Sequence, residues 1–130
     1  MNIVLDTNVL VSALWSADSK PAAILNQILS GRLRICYDHR ILEEYYNVLR
    51  RPKFGFSSWE ISWLLDFIRA NGISVVPESL PEIPFEDESD RKFLEVAKFC
   101  FAPLITGNMK HYPNDECIVS VSDFHRLYIA

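Results

Sequence analysis

Apolar positions along the chain change period several times, and each change marks an element. Residues 2–5 run polar and then Ile3-Val4-Leu5, a short buried strand by its β-branched content. Asp6-Thr7-Asn8 follows as a turn, and Val9-Leu10-Val11 opens another buried segment. Pro21 starts a helix with Ile24, Leu25, Ile28 and Leu29 at helical spacing, and Gly31 ends it. Residues 33–37 read as a second strand. A helix over 38–51 is capped by Asp38 and stopped by Pro52. Ser57 or Ser58 caps an aromatic-rich helix that ends at Gly72, and residues 73–76 give a third strand. Residues 77–85 hold three prolines and form an extended connection. A helix from about 87 to 101 opens on a run of acids. Residues 104–106 form a short strand, Gly107-Asn108 a turn, and 117–121 a last strand. Ser122 or Asp123 caps the final helix. Strands separated by helices predict an α/β fold, a three-layer α/β/α sandwich with a mainly parallel central sheet.

Composition adjusts this picture only modestly. A chain of 130 residues with 49% hydrophobic and 23% charged residues is expected to form one soluble domain over 1–130. Nothing reads as a membrane span or a signal segment, so the expected location is cytoplasmic. Cys36, Cys100 and Cys117 are far apart and read as buried structural thiols. The net charge of −4 argues against a nucleic-acid partner until its distribution is considered. Residues 1–77 carry 8 Lys/Arg against 7 Asp/Glu, and residues 78–130 carry 5 against 10. Between Arg32 and Lys53 the excess is basic and includes Arg50 and Arg51. An acidic cleft beside a basic rim suits a metal-dependent enzyme acting on a phosphate polymer.

Candidate chemistry comes from sorting the acids by helical phase. Asp6 ends a strand between two apolar runs, where a charge needs a partner or an ion. In the 38–51 helix the stripe is Ile41, Leu42, Tyr45, Val48 and Leu49. Glu43 points away from it and Glu44 sits on its border. In the 87–101 helix the stripe is Phe93, Leu94, Val96, Ala97 and Cys100. Asp90 falls on that face, Asp87 lies to one side, and Glu88 and Glu95 point away. Thr106 and Asn108 close a strand as Asp6 does. In a parallel sheet these strand ends and helix starts open on one edge, where ligands bind. Asp6, Glu44, Asp90 and Asn108 are therefore expected to converge. Converging carboxylates raise one another's pKa unless a cation joins them, and oxygen donors select Mg²⁺ or Mn²⁺. The implied chemistry is phosphodiester hydrolysis by a metal-activated water.

Four segments in order carry a resemblance to PIN-domain ribonucleases, across nearly the whole chain. They are residues 4–10, 41–54, 87–97 and the pair Ile105-Thr106-Gly107-Asn108 with Lys110-His111-Tyr112-Pro113. The chain is most similar to the small stand-alone branch found as toxins of toxin–antitoxin pairs. The resemblance implies an endoribonuclease using Mg²⁺ or Mn²⁺, with Asp6, Glu44 and Asp90 as metal ligands. It implies that Thr7 and Asn8 orient the acids and that Asp87 is an additional acid, and it leads us to expect a homodimer restrained by an antitoxin protein. Lys110 and His111 follow the site turn and are expected near the substrate phosphate, with Arg50 and Arg51 as further contacts. Many members have aspartate where this chain has Asn108, though this branch commonly carries Thr-Gly-Asn. The amide predicts weaker metal binding, one firmly held ion instead of two. The competing reading is a catalytically weak or inactive module that binds RNA or a protein. A phosphatase using Asp6 as nucleophile is disfavoured, because Asn8 stands where its second acid would be. His39 and His125 read as surface residues. The stretch Phe54, Phe56, Trp59 and Trp63 is expected to divide between core and interface.

Overall fold

In a computed structural model describing all residues 1–130, strand β1 (Asn2–Leu5) lies at the centre of the sheet. Consecutive strand residues point to opposite faces, yet Ile3, Val4 and Leu5 are all fully buried. Both faces of the sheet are therefore covered. Helix α1 (Thr7–Trp15) begins directly after Asp6, so the expected turn is a single extended residue, and Val9-Leu10-Val11 is helical. Helix α2 (Lys20–Leu29) is capped by Ser19 with Pro21 in its first turn. Then come β2 (Arg34–Tyr37), α3 (His39–Leu49) capped by Asp38, and a 3₁₀ turn at Pro52–Phe54. Helix α4 (Ser58–Asn71) starts on a full capping box between Ser57 and Glu60.

Strand β3 is only Ile73–Ser74, shorter than the periodicity predicts, and Val76 is exposed. Gly72 is required before it. A Cβ there would lie 2.7 Å from the Ile35 carbonyl oxygen, so β3 could not pair with β2. The second half of the chain gives a 3₁₀ turn at Glu88–Asp90, α5 (Arg91–Cys100) and β4 (Leu104–Thr106). A 3₁₀ turn at Met109–His111, β5 (Ile118–Ser120) and α6 (Val121–Tyr128) follow. The cap of α6 is Ser120, not Ser122 or Asp123, because β5 passes into the helix without a loop. Cys36, Cys100 and Cys117 are all free, and only Cys36 is fully buried. His39 is exposed and His125 half-buried. No helix is long and apolar enough to cross a membrane.

The five strands are all parallel in the order β3-β2-β1-β4-β5. That is an α/β/α sandwich of the expected class. Strand order reverses between β1 and β4, the switch point where α/β sheets open a crevice at their carboxyl edge. Tyr45, Phe93 and Phe124 are the largest fully buried side chains. The Tyr45 hydroxyl donates to the Leu5 carbonyl at 2.5 Å, tying α3 to the end of β1.

One expectation on α5 fails. Glu95 is buried at 2% exposure. The proline-rich connection folds back over the face of α5 that phase assigned to solvent. There Glu95 accepts the Leu80 backbone N–H at 2.7 Å and pairs with Arg40 at 2.9 Å. Arg40 also holds Asp38, the α3 cap, at 2.7 Å. Removing the guanidinium would leave Glu95 buried and uncompensated. Breaking a fully buried pair costs about 3–5 kcal/mol. Arg40 is 40% exposed, so about 2 kcal/mol is expected for Arg40→Ala. Arg69→Ala, which breaks the open Arg69–Asp66 pair, should cost under about 1 kcal/mol. Urea unfolding of the two variants measures the difference, and equal midpoints would contradict this role for Arg40.

Candidate metal centre

The site is built from the end of β1 outward. Asp6 occupies the N-cap position of α1 in an extended conformation, but its side chain makes no capping hydrogen bond. The carboxylate is instead drawn across the switch point. The parallel register of β1 and β4 pairs Leu5 with Ile105, which places Asp6 beside Thr106. The Thr106 hydroxyl, fully buried, donates to Asp6 Oδ2 at 2.7 Å and accepts the Asn108 backbone N–H at 3.0 Å. One hydroxyl thus fixes both the acid and the turn that follows β4. Burial raises the Asp6 pKa, the charge of Glu44 adds to the rise, and the Thr106 bond opposes it.

Glu44 is half-buried on α3, as its border phase predicts, and Glu43 is exposed. Both Glu44 oxygens are engaged. Thr7, buried in the first turn of α1, donates its hydroxyl to Oε2, and the Lys92 ammonium pairs with Oε1 at 2.8 Å. Asp90 stands at the start of α5, turned inward as expected. Its Oδ2 is buried without a hydrogen-bond partner, and His111 Nδ1 lies 3.9 Å away. Burial, then the charges of Asp6, Asp87 and Glu44, push the Asp90 pKa up to about 6. Asp90 thus feels the charges of Asp6 and Glu44, and Asp6 feels that of Glu44.

Other expected residues divide. Asp87 is exposed and builds the turn before α5, accepting the Ser89 N–H at 2.9 Å and the Ser89 hydroxyl at 2.7 Å. Those bonds hold its pKa below the usual carboxylate range. Asn8 is exposed and forms no side-chain hydrogen bond to the acids. The Asn108 amide nitrogen lies 3.2 and 3.3 Å from the two ring nitrogens of His111, which is half exposed. Lys110 is exposed and pairs with no carboxylate. Arg50 lies over the Tyr46 ring, and Arg51 lines a groove that begins at Glu44 and Lys92.

Phase reasoning missed two tyrosines. Tyr112 is buried, and its hydroxyl faces the acids without closing a hydrogen bond. Burial and the charges of Asp6 and Asp90 raise its pKa far above the ordinary tyrosine value. Tyr45, raised by burial and then by Asp6 and Glu44, braces the strand end. Both sit beside motif acids in sequence or space, and an alternation pattern classes both as plain core.

The parallel α/β sheet thus carries carboxylates at its switch-point edge. The PIN domain family model matches residues 2–110, and the chain belongs to that family. No curated protein matches it closely. The family is one of nucleases, typically served by divalent metals. No three His, Cys, Asp or Glu side chains stand close enough, as placed, to grip one ion. The donors nevertheless suit a hard cation. Asp90 Oδ2 is an orphaned buried oxygen, the charges of Asp6 and Glu44 raise the Asp90 pKa, and every candidate ligand atom is oxygen. At Glu44 an ion would compete with the Lys92 ammonium.

The raised Asp90 pKa has a stability consequence. The folded chain holds this proton more tightly than the unfolded chain, whose carboxyl titrates near 3.8. Asp90 therefore lowers stability above about pH 6, and the deficit disappears as pH falls from 6 towards 4. In EDTA, Asp90→Asn should melt higher than the parent at pH 7.5 and alike at pH 4. Thermal melts across that range check it, and a gap independent of pH would contradict it.

Proposed function

We propose that this protein is a Mg²⁺- or Mn²⁺-dependent endoribonuclease. The single observation that carries the reading is the orphaned Asp90 Oδ2, on a carboxylate that feels the charges of Asp6 and Glu44. Asp6, Glu44 and Asp90 would hold the ion. When bound, a divalent ion supplies charge for phosphate oxygens and makes water a stronger nucleophile at neutral pH. The chain's own residues do the rest. Thr106 fixes Asp6 before any ion arrives, and Thr7 fixes one oxygen of Glu44. The Tyr112 hydroxyl is an unspent donor facing the acids, available to a phosphate oxygen or a water. Lys110, on the exposed rim after β4, brings positive charge to the phosphate, and His111 beside it offers a ring N–H. Asn108 adds no charge to the ligand set, which fits one firmly held ion.

By likeness to the small toxin branch, the protein acts as the toxin of a toxin–antitoxin pair, as a cytoplasmic homodimer held in check by an antitoxin. Incubation with RNA tests the activity. Wild type should cut RNA in Mn²⁺ or Mg²⁺ and not in EDTA. Asp6→Asn should lose about 10²-fold or more in rate, the scale of removing one transition-state electrostatic group. Equal cleavage by wild type and variant would refute it.

A second reading has its own support. Glu44 is saturated by Thr7 and Lys92, and Asn108 removes a charge, which suits a module that binds RNA or a protein without cutting. Calorimetric titration with Mn²⁺ separates the two. Binding in the millimolar range or tighter favours the nuclease, and none at millimolar Mn²⁺ with RNA binding retained favours the module.

A further inference from the structure

The charge pattern that phase analysis left unused resolves once ion pairs are known. Arg40, Arg69, Arg91, Lys92, Lys98 and Arg126 each hold a carboxylate. Lys20, Arg32, Arg34, Arg50, Arg51, Lys53 and Lys110 are exposed and hold none, and Arg50, Arg51 and Lys53 are the three that fall together. Arg50 lies 4.7 Å over the Tyr46 ring and Lys53 lies 5.2 Å over the Phe54 ring. Phe54 in turn meets the edge of Trp15 at 5.2 Å, and Trp15 is 61% exposed. Free cations here sit on aromatic faces, in a chain whose net charge is −4.

The position of this patch relative to the acids follows from two contacts. Thr7, opening α1, meets Glu44 on α3. Trp15, closing α1, meets Phe54 just beyond α3. The two stretches therefore run side by side from the candidate centre to the patch, over about 12 Å at 1.5 Å per residue. A groove lined by Glu44, Asn47, Val48, Arg51 and Lys92 runs part of that way on the outer side of α3. Its remaining carboxylates are Glu43 and Glu88, the latter taken by Arg91.

We infer that Arg50, Arg51 and Lys53, with the exposed rings of Trp15 and Tyr46, form a binding track for single-stranded RNA flanking the cleavage point. The inference rests on the ribonuclease reading above. Unpaired cations take successive phosphates, and exposed aromatic faces take unstacked bases. A duplex keeps its bases inside the stack and gains only the phosphate term. The Trp15 indole is the natural end of the track because it is 61% exposed while it packs against Phe54.

The experiment is fluorescence anisotropy of a short unstructured RNA oligonucleotide with the full chain in EDTA, beside an RNA duplex of the same sequence. The single strand should bind more tightly than the duplex. Arg51→Ala/Lys53→Ala should lower the slope of log affinity against log salt by about 1.4, two phosphates at about 0.7 each. Trp15→Ala should weaken single-strand binding roughly 5-fold to 100-fold and leave the duplex unchanged, and Trp15→Phe should recover most of the loss. Arg69→Ala/Arg126→Ala is the charge-matched control and should change neither the slope nor the affinity beyond a uniform small loss. Circular dichroism confirms that each variant is folded. Equal effects from the two double variants, or no effect of Trp15→Ala, would overturn the track. So would variants that dissociate a dimer while leaving RNA affinity intact, since the patch would then be a self-contact. If the track fails while Asp6-dependent cleavage stands, RNA enters by another face. If no RNA binds in EDTA and none is cut with Mn²⁺, the ribonuclease reading falls as well.

Discussion

A buried carboxylate at the end of a central strand sets the terms for everything near it. Asp6 is buried at 6% exposure, and α1 gives it no capping role. Its one strong partner is Thr106 on the neighbouring strand, 100 residues away. That bond exists only because β1 and β4 are adjacent and parallel, which is also what creates the switch point. Fold and site are thus one constraint seen twice. The sheet order that brings Thr106 to Asp6 also opens the crevice into which Glu44 and Asp90 lean.

Electrostatics decides the state of that crevice. The acids desolvate and repel one another, and the chain offers limited relief. Lys92 neutralises Glu44, His111 stands at the edge of Asp90, and Asp90 Oδ2 has nothing. Asp6 and Asp90 consequently hold their protons above the usual carboxylate range. A divalent ion would reverse those preferences by favouring all the charged forms at once. The price of readiness is a metal-free site under tension, held by threonine hydroxyls on one side and an ammonium on the other. The same lysine that calms Glu44 competes with the ion for it.

Much of this was legible in the residues. Strand–helix alternation led to the parallel sheet, and helical phase separated Glu44 from Glu43 and turned Asp90 inward. These succeeded because they depend on local periodicity against a single core. Glu95 misled because a second covering, the proline-rich connection, lies on the face that one-core reasoning gives to solvent. Asn8 and Asp87 were carried over by likeness to the family. Here one is exposed without contact to the acids and the other spends its oxygens on a local turn. Tyr112 stands in one of the motif segments, but no periodicity in that polar turn tells that its hydroxyl lies beside the acids. Lys92 escaped notice for a related reason. Its pairing with Glu44 joins two helices, and no spacing rule along one chain segment reports it.

The most direct test of the shared acid site is an anomalous-scattering map from a crystal of this protein grown with Mn²⁺. The account predicts a single strong peak among the carboxylates of Asp6, Glu44 and Asp90, with Lys92 withdrawn from Glu44. A map with no peak there, and with the Lys92–Glu44 pair intact at saturating Mn²⁺, would contradict it.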